Sequence, residues 1–394
     1  MTEYIKKEGS FSKDLTFLKK HTDIIVLQEG KSALAIAPQY QGRVMTSATN
    51  FSEGAGFGWI NKKVIEAGFL TEEERKGRLE DQIYIFGGEE RFWLGPEGGQ
   101  FSIFFKPEDD FEFSNWKTPD VIDTDAFTLV SQTGNVAEFE HSCELMNKSG
   151  TVFKMGIGRS ITILNKKSVE KIIKKEFSKK VEFVGYQTNN QITNIGENPW
   201  VPETGLPSIW MLGMYNPSSE TTMIIPFKNG DETVLGVKVN DTYFGKVPKE
   251  YLEVKEDILF FKGDGTKRSK IGVNPKRTKG IAGSYDAAGK VLTLVTYNKQ
   301  EATNGYVNSA WEFQEEPYEG DVLNAYNDGS PEPGVPPMGP FYELETSSPA
   351  AALKPNETMV HIQTTIHLQG EENELNEIAI ETLGVSLEEI IKSL

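Results

Sequence analysis

The sequence is short of several residue types, and each shortage excludes a class of function. Cys143 is the single cysteine. It cannot form an internal disulfide, and multi-cysteine zinc sites are excluded. Histidine is scarce too, with 4 in 394 residues. Positive charge is in deficit, 41 Lys and Arg against 58 Asp and Glu, for a formal net charge of -17. Nucleic-acid phosphates and anionic lipid both need positive potential, so no nucleic-acid partner is expected. The main basic cluster, Lys166 to Lys180, reads as the solvated face of a short helix. No apolar run approaches the roughly 20 residues of a membrane span, so no membrane insertion is expected.

Motifs are missing as well. No GxGxxG stands in a βαβ setting, and there is no Walker loop, G-x-S-x-G elbow, HExxH or EF-hand. No cofactor is expected. Calcium held by scattered carboxylates and Asn side chains stays open as the alternative. The N-terminus, MTEYIKKEGSF, has no apolar signal core and no lipid-attachment cysteine. A cytoplasmic location is expected if this N-terminus is native, and a periplasmic one if a signal peptide was removed.

What the chain does have is aromatic and β-branched residues, with 23 Phe and 13 Tyr. Short runs of them recur between Gly, Asn, Asp and Pro: Ile24 to Leu27, Arg43 to Thr49, Phe101 to Phe105, Val136 to Met146, Val152 to Leu164, Thr233 to Val239, Val307 to Phe313 and Met359 to Leu368 among others. Many strands and few helices predict a large all-β antiparallel sandwich. Short peripheral helices are expected at Leu15 to Lys19, after the Thr71/Glu74 capping box, after a Ser168 cap, and after the Ser386/Glu389 box. Long loops are expected at Thr188 to Ser208 and Asn324 to Pro340. The predicted organisation is an extension over 1–20, one sandwich domain over 21–382 and a C-terminal helix over 383–394.

The run Gly88 to Gly99, GEERFWLGPEGG, combines carboxylates, an arginine, two aromatics and several glycines. An aromatic wall beside directed polar groups suits a sugar ring. Arg91, Trp93 and Glu97 are therefore candidate substrate-binding residues, with Trp59, Trp116, Trp200, Trp210 and Trp311 as further stacking candidates.

Strand parity selects other candidates. Phe153, Met155, Ile157, Arg159, Ile161 and Ile163 share one face, so Arg159 interrupts an apolar row. Such a guanidinium serves either a structural salt bridge or a ligand pocket. Glu343 and Glu345 share a face roughly 6.5–7 Å apart by strand rise. In a cleft, like-charge repulsion raises the pKa of one of them, as acid–base chemistry requires. A solvated acidic strand face is the alternative. His141 shares parity with Phe139, Cys143 and Leu145 and is expected to point inward, as a core histidine or a proton-transfer group. His361 and His367, with Gln363 and Thr365, read as the polar face of a half-buried strand.

Two segments carry a resemblance. IIVLQEGKSALAIAPQYQGRVMTS, with its Gly42-Arg43-Val44 turn, resembles the opening hairpin of the galactose-mutarotase-like superfamily. FYELETSSPAAALKPNETMVHIQTTIHL resembles its closing strands, with Leu353, Pro355, Asn356 and Glu357 in an L-x-P-G-E-like segment where Asn replaces glycine. Nearly the whole chain resembles an uncharacterised family common in Bacteroidetes, on ERFWLGPEGGQ, Asn115-Trp116, Gly196 to Trp200 and FYELE. The superfamily resemblance implies a β-supersandwich with a sugar-sized cleft, and a glutamate base paired with a histidine acid. Glu345 best matches the glutamate, with Glu343 as fallback. The N-H-x-Y-F-N segment that supplies the histidine is absent.

The expected function is carbohydrate recognition, with a mono- or oligosaccharide as partner. As an enzyme, aldose 1-epimerase-like chemistry would use Glu345 as base and Arg159 or His141 at the ring oxygen. The alternatives are a noncatalytic carbohydrate-binding protein and a glycan hydrolase or lyase. Geometry separates them. An enzyme predicts Glu345, Arg159 and an acid converging in one deep cleft. A binding protein predicts glutamates held apart or salt-bridged beside an aromatic platform.

Overall fold

Alternation decides which way each strand faces, and the long strands show it most clearly. Phe153, Met155, Ile157, Arg159, Ile161 and Ile163 are all buried, while the residues between them reach the opposite face. The computed structural model describes residues 9–84, 86–300, 302–331, 334 and 336–394. Among them the strands are β1 (Ile25–Glu29), β2 (Ser32–Ala37), β3 (Arg43–Ala48), β4 (Glu90–Gly95), β5 (Thr128–Thr133), β6 (Val136–Met146), β7 (Val152–Ile163), β8 (Glu182–Asn194) and β9 (Ser208–Tyr215). They continue with β10 (Thr221–Pro226), β11 (Leu252–Val254), β12 (Ile258–Lys262), β13 (Ser269–Val273), β14 (Ile281–Asp286), β15 (Val291–Tyr297), β16 (Leu323–Asn327), β17 (Tyr342–Ser347) and β18 (Thr358–Gln369).

They form two antiparallel sheets. One is 8-stranded in the order β1-β2-β3-β4-β9-β17-β16-β13, the other 10-stranded in the order β11-β12-β10-β14-β15-β18-β8-β7-β6-β5. The fold is all-β with a few short helices, as the sequence predicts. The strand β9, SIWMLGMY, is buried at every position. Both faces of its sheet are covered, one by the second sheet and the other by loops, so it shows no alternation, and no strand is predicted over it.

Helices cover part of the outer face of the 10-stranded sheet. Leu375, Ile378 and Leu383 of the helix Glu372–Leu383, with Leu387 and Ile390 of Leu387–Ile391, pack on Ile224, Phe260, Leu294, Ile366 and Leu368. Each such side chain contributes about 1.5–3 kcal/mol. The Thr71/Glu74 capping box and the Ser386 cap form as predicted. Ser168 is not a cap: the Asn165 side chain accepts from the Ser168 backbone N–H at 3.0 Å and starts the helix Lys166–Ile173. The first helix is longer than expected, Phe11–His21, and buries Phe11 and Leu18 against the core.

Other expectations fail for local reasons. Phe101 to Phe105 is no strand. The Gly98-Gly99 turn folds the chain back, with Ser102 N–H bonding Gly99 O at 3.1 Å and Ile103 N–H bonding Pro96 O at 3.2 Å. Thr233 to Val239 begins as a helical turn, Glu232–Leu235, capped by Asp231. Val307 to Phe313 makes no strand either. Thr188 to Asn194 belongs to β8, and Asn324 to Asn327 to β16, so both expected loops are shorter than predicted.

The row His361, Gln363, Thr365 and His367 is inverted relative to expectation. All are buried and face the other sheet. His361 Nε2 lies 2.7 Å from Thr346 Oγ1, Gln363 Nε2 donates to Glu90 Oε2 at 3.0 Å, and His367 Nε2 lies 3.0 Å from Glu89 Oε1. The apolar row of the same strand supplies Ile366 and Leu368 to the helices instead. The centre of the sandwich is therefore partly polar and hydrogen-bonded, which is how buried polar groups are tolerated. Burial pushes the His361 imidazole down to about 3, keeping it neutral.

Candidate functional site

The 8-stranded sheet has a second face, turned away from its partner sheet. Cross-strand neighbours point the same way. Register places Arg91, Leu212, Glu345 and Asn324 in one row across β4, β9, β17 and β16. A neighbouring row is Met214, Glu343, Tyr326 and Lys270, the last from the edge strand β13. Trp93 and Trp210 pair beside them.

Here the carboxylates meet their partners. Arg91 Nη2 lies 2.7 Å from Glu343 Oε1. Glu345 Oε2 accepts from Lys270 Nζ at 2.8 Å and from the Trp210 indole N–H at 2.9 Å. Glu345 Oε1 is buried and has no hydrogen-bond partner. The Lys270 ammonium sits 4.8 Å from the Trp210 ring centre and 5.7 Å from that of Tyr243. Tyr243 is oriented by Asp321, at 2.6 Å, and by Asn324, at 3.1 Å.

Indoles and phenyls wall this cluster. Trp93 packs edge-on against Trp210 at 5.6 Å and tilted against Phe104 at 5.5 Å. Phe104 stacks on Trp116 at 5.6 Å, and Trp116 on Trp311 at 6.0 Å. Glu97, Tyr243, Trp311 and Lys270 are part-exposed and form the outer edge of the cluster, whereas Glu345 is 1% exposed. Gly98 lets the Glu97 loop lie against the next loop: a Cβ there would stand 2.3 Å from the Ala310 carbonyl oxygen.

Electrostatics follow from this enclosure. Burial drives the Glu343 carboxyl up to about 7, against the pull of Arg91 and with a further push from Glu345. Glu97 is raised by burial, offset by the Lys270 charge and reinforced by Glu345. Burial alone would lower the Lys270 ammonium, but the Glu345 and Glu97 carboxylates together raise it.

The structure thus brings Arg91, Trp93, Glu97, Glu343 and Glu345 to one face, with Trp116 in the wall behind. It places Arg159 and His141 elsewhere. Arg159 lies between the sheets. It donates to Glu90 Oε1 at 3.0 Å, to the Gly42 carbonyl at 3.1 Å and to the Asn190 side chain. Burial lowers its pKa and raises that of Glu90. His141 lies on β6 of the 10-stranded sheet, 3.4 Å from Asp125 Oδ2 and stacked on Phe127 at 5.0 Å. No histidine among the described residues lines the cleft, because β9 presents Trp210, Leu212 and Met214 there.

Trp210 and Trp311 are among the stacking candidates the sequence offers, whereas Lys270 and Tyr243 escape it. A trace of Lys270 is visible in Ser269 to Val273, where Ile271 and Val273 alternate with it, so it must face away from them. A groove of about 810 Å³ lies nearby, lined by Thr71, Lys76, Gln82, Phe104, Asn115 and Trp116. It shares two wall aromatics with the glutamate cluster but none of Glu97, Glu343 and Glu345, so the titratable groups rather than this groove locate the candidate site. Among the described residues, no three His, Cys, Asp or Glu side chains group as a metal site.

Fold and side chains together define an all-β protein of two large antiparallel sheets, carrying two acid–base pairs walled by indoles on the outer face of one of them. The chain belongs to a family of unknown function, DUF6786, whose model matches residues 9–394. No curated protein matches it in sequence. In fold it is similar to the Slr1438 protein of Synechocystis sp. PCC 6803, at 11% identity and a TM-score of 0.51, over 89% of this chain and 96% of that one. It is also similar to a galactose mutarotase-like protein from Lactobacillus casei ATCC 334, at 10% identity and a TM-score of 0.48, over 88% of this chain and 100% of that one.

Proposed function

We propose that the cleft recognises a carbohydrate and that Glu345 is the general base of an aldose 1-epimerase-like exchange between sugar anomers. The observation that carries this reading is the state of Glu345. One carboxylate oxygen is held by Lys270 and Trp210, and the other is buried, unpartnered and free to accept a proton. A hydroxyl placed at Oε1 would satisfy that oxygen and give up its proton to it. Trp93, Trp210 and Trp311 supply flat apolar surface for the C–H face of a sugar ring, while Glu97 and Tyr243 supply polar groups at the mouth. The resemblance of the closing strands to the galactose-mutarotase-like superfamily supports the same residue in the same role.

A second reading, noncatalytic carbohydrate binding, has its own observation. Both glutamates are salt-bridged, Glu343 to Arg91 and Glu345 to Lys270. Anomer exchange followed by NMR on a panel of free aldoses separates the two. The epimerase reading predicts acceleration that Glu345→Gln abolishes. Binding of a sugar with no acceleration of any would leave the second reading standing.

A further inference from the structure

An acid must accompany the base, because opening a sugar ring requires a proton at the ring oxygen. The superfamily resemblance implies a histidine for this, and the cleft offers none. Its polar groups can be tested one by one. Arg91 is engaged with Glu343, and a guanidinium does not release its proton. Tyr243 is bound to Asp321, and burial together with the Asp321 charge pushes its phenol well above the ordinary range. Glu343 faces Arg91 rather than the free oxygen of Glu345. Lys270 remains. Its Nζ lies 2.8 Å from Glu345 Oε2, held over the Trp210 ring, with a side chain only 12% exposed at the mouth of the cleft.

Resting on the reading proposed above, we infer that Lys270 is the group that protonates the ring oxygen, so that this cleft runs its acid–base chemistry on a Glu–Lys pair. The step balances without any further reactant. Glu345 Oε1 takes the proton of the anomeric hydroxyl, and the anomeric C–O bond becomes a carbonyl. The bond from the anomeric carbon to the ring oxygen breaks with its electron pair on that oxygen, which receives a proton from Lys270. The open-chain aldehyde turns about its first C–C bond and closes by the reverse transfers, returning both protons.

The pairing makes each transfer assist the other. Burial works to lower Lys270, and the charges of Glu345 and Glu97 hold it up. When Glu345 is neutralised by the anomeric proton, its share of that hold is lost and the ammonium becomes the better acid at the moment it is needed. Glu97, Glu343, Asp321 and Tyr243 also face Lys270, and none of them changes charge in the step.

The test is anomer exchange by NMR with wild type, Lys270→Met, Lys270→Arg and Glu345→Gln, with thermal melting as the folding control. Lys270→Met is expected to lose about 100-fold or more in kcat, the scale of general acid catalysis. Lys270→Arg keeps the charge beside Glu345 but cannot deliver the proton, so a loss of similar size is expected. If Lys270→Met does not fold, Lys270→Arg decides alone. Wild-type rates in Lys270→Arg, with Glu345→Gln inactive, would overturn the assignment and leave the base in place. A wild type that accelerates no aldose would overturn the parent reading, and this assignment with it.

Discussion

Arg91 and Glu343 stand on strands that flank β9 and reach across it to an ion pair of 2.7 Å, next to the Glu345–Lys270 pair. The two pairs are side by side on one sheet face, and each carboxylate influences its neighbour. This doubled arrangement sets most of what the cleft should do under perturbation.

Removing Arg91 leaves Glu343 buried without its cation. Arg91→Met should destabilise the protein by about 3–5 kcal/mol in urea unfolding at neutral pH. Glu343→Gln should recover most of that loss in the double variant, because the uncompensated charge is then gone. A double variant as unstable as Arg91→Met alone would contradict the pairing.

Glu343 also fixes the sign of a pH dependence. Its folded pKa, about 7, lies above the unfolded value. The native state therefore binds more protons than the unfolded chain in the window between the two values. Its contribution to stability is fully present below the unfolded pKa and is lost as pH rises through 7. Unfolding free energies should fall across this window, and Glu343→Gln should flatten the fall. An unchanged slope in that variant would place the raised pKa elsewhere.

Arg159 offers a contrast. In the sequence its guanidinium interrupts an apolar row, which fits either a structural salt bridge or a ligand pocket. In the structure it pairs with Glu90 between the sheets. Arg159→Met should cost about 3–5 kcal/mol of stability while leaving sugar affinity within about twofold, read by urea unfolding and by titration calorimetry. A selective loss of sugar binding with unchanged stability would return Arg159 to the pocket.

Trp311 stands at the mouth of the cleft, part-exposed and stacked on Trp116. Trp311→Ala should weaken binding of the cognate sugar about tenfold, the worth of one aromatic face. Gly98→Ala tests the same mouth from the backbone. Its Cβ would stand 2.3 Å from the Ala310 oxygen, so the loops must part, at about 1–3 kcal/mol of stability and with weaker binding. Unchanged melting in Gly98→Ala would mean the two loops are not packed as described.

How much of this was legible depended on whether a residue's role was local. Parity alone put Arg159 on a buried face and Glu343 beside Glu345, because alternation is a property of the strand itself. The two-sheet class followed from the density of such strands. The L-x-P-G-E-like segment was legible even with its substitution: Asn356 has φ 67°, a left-handed conformation that Asn tolerates nearly as readily as glycine. Direction was not legible. The polar row of His361 and His367 looked solvated and is buried, because partners on another sheet, Thr346 and Glu89, satisfy it. Lys270 carries no local signal beyond its parity, and only the loops carrying Glu97, Tyr243 and Trp311 gather partners around it. Trp210 stood out as an indole, but its strand did not, because a strand covered on both faces shows no alternation.

The central claim is that a sugar sits over Glu345, and a crystal structure soaked with a mixture of free monosaccharides tests it most directly. The account predicts a ring against Trp93, Trp210 or Trp311 with its anomeric oxygen about 3 Å from Glu345 Oε1. Sugar density elsewhere on the molecule, with Glu345 still bound only to Lys270 and Trp210, would contradict it.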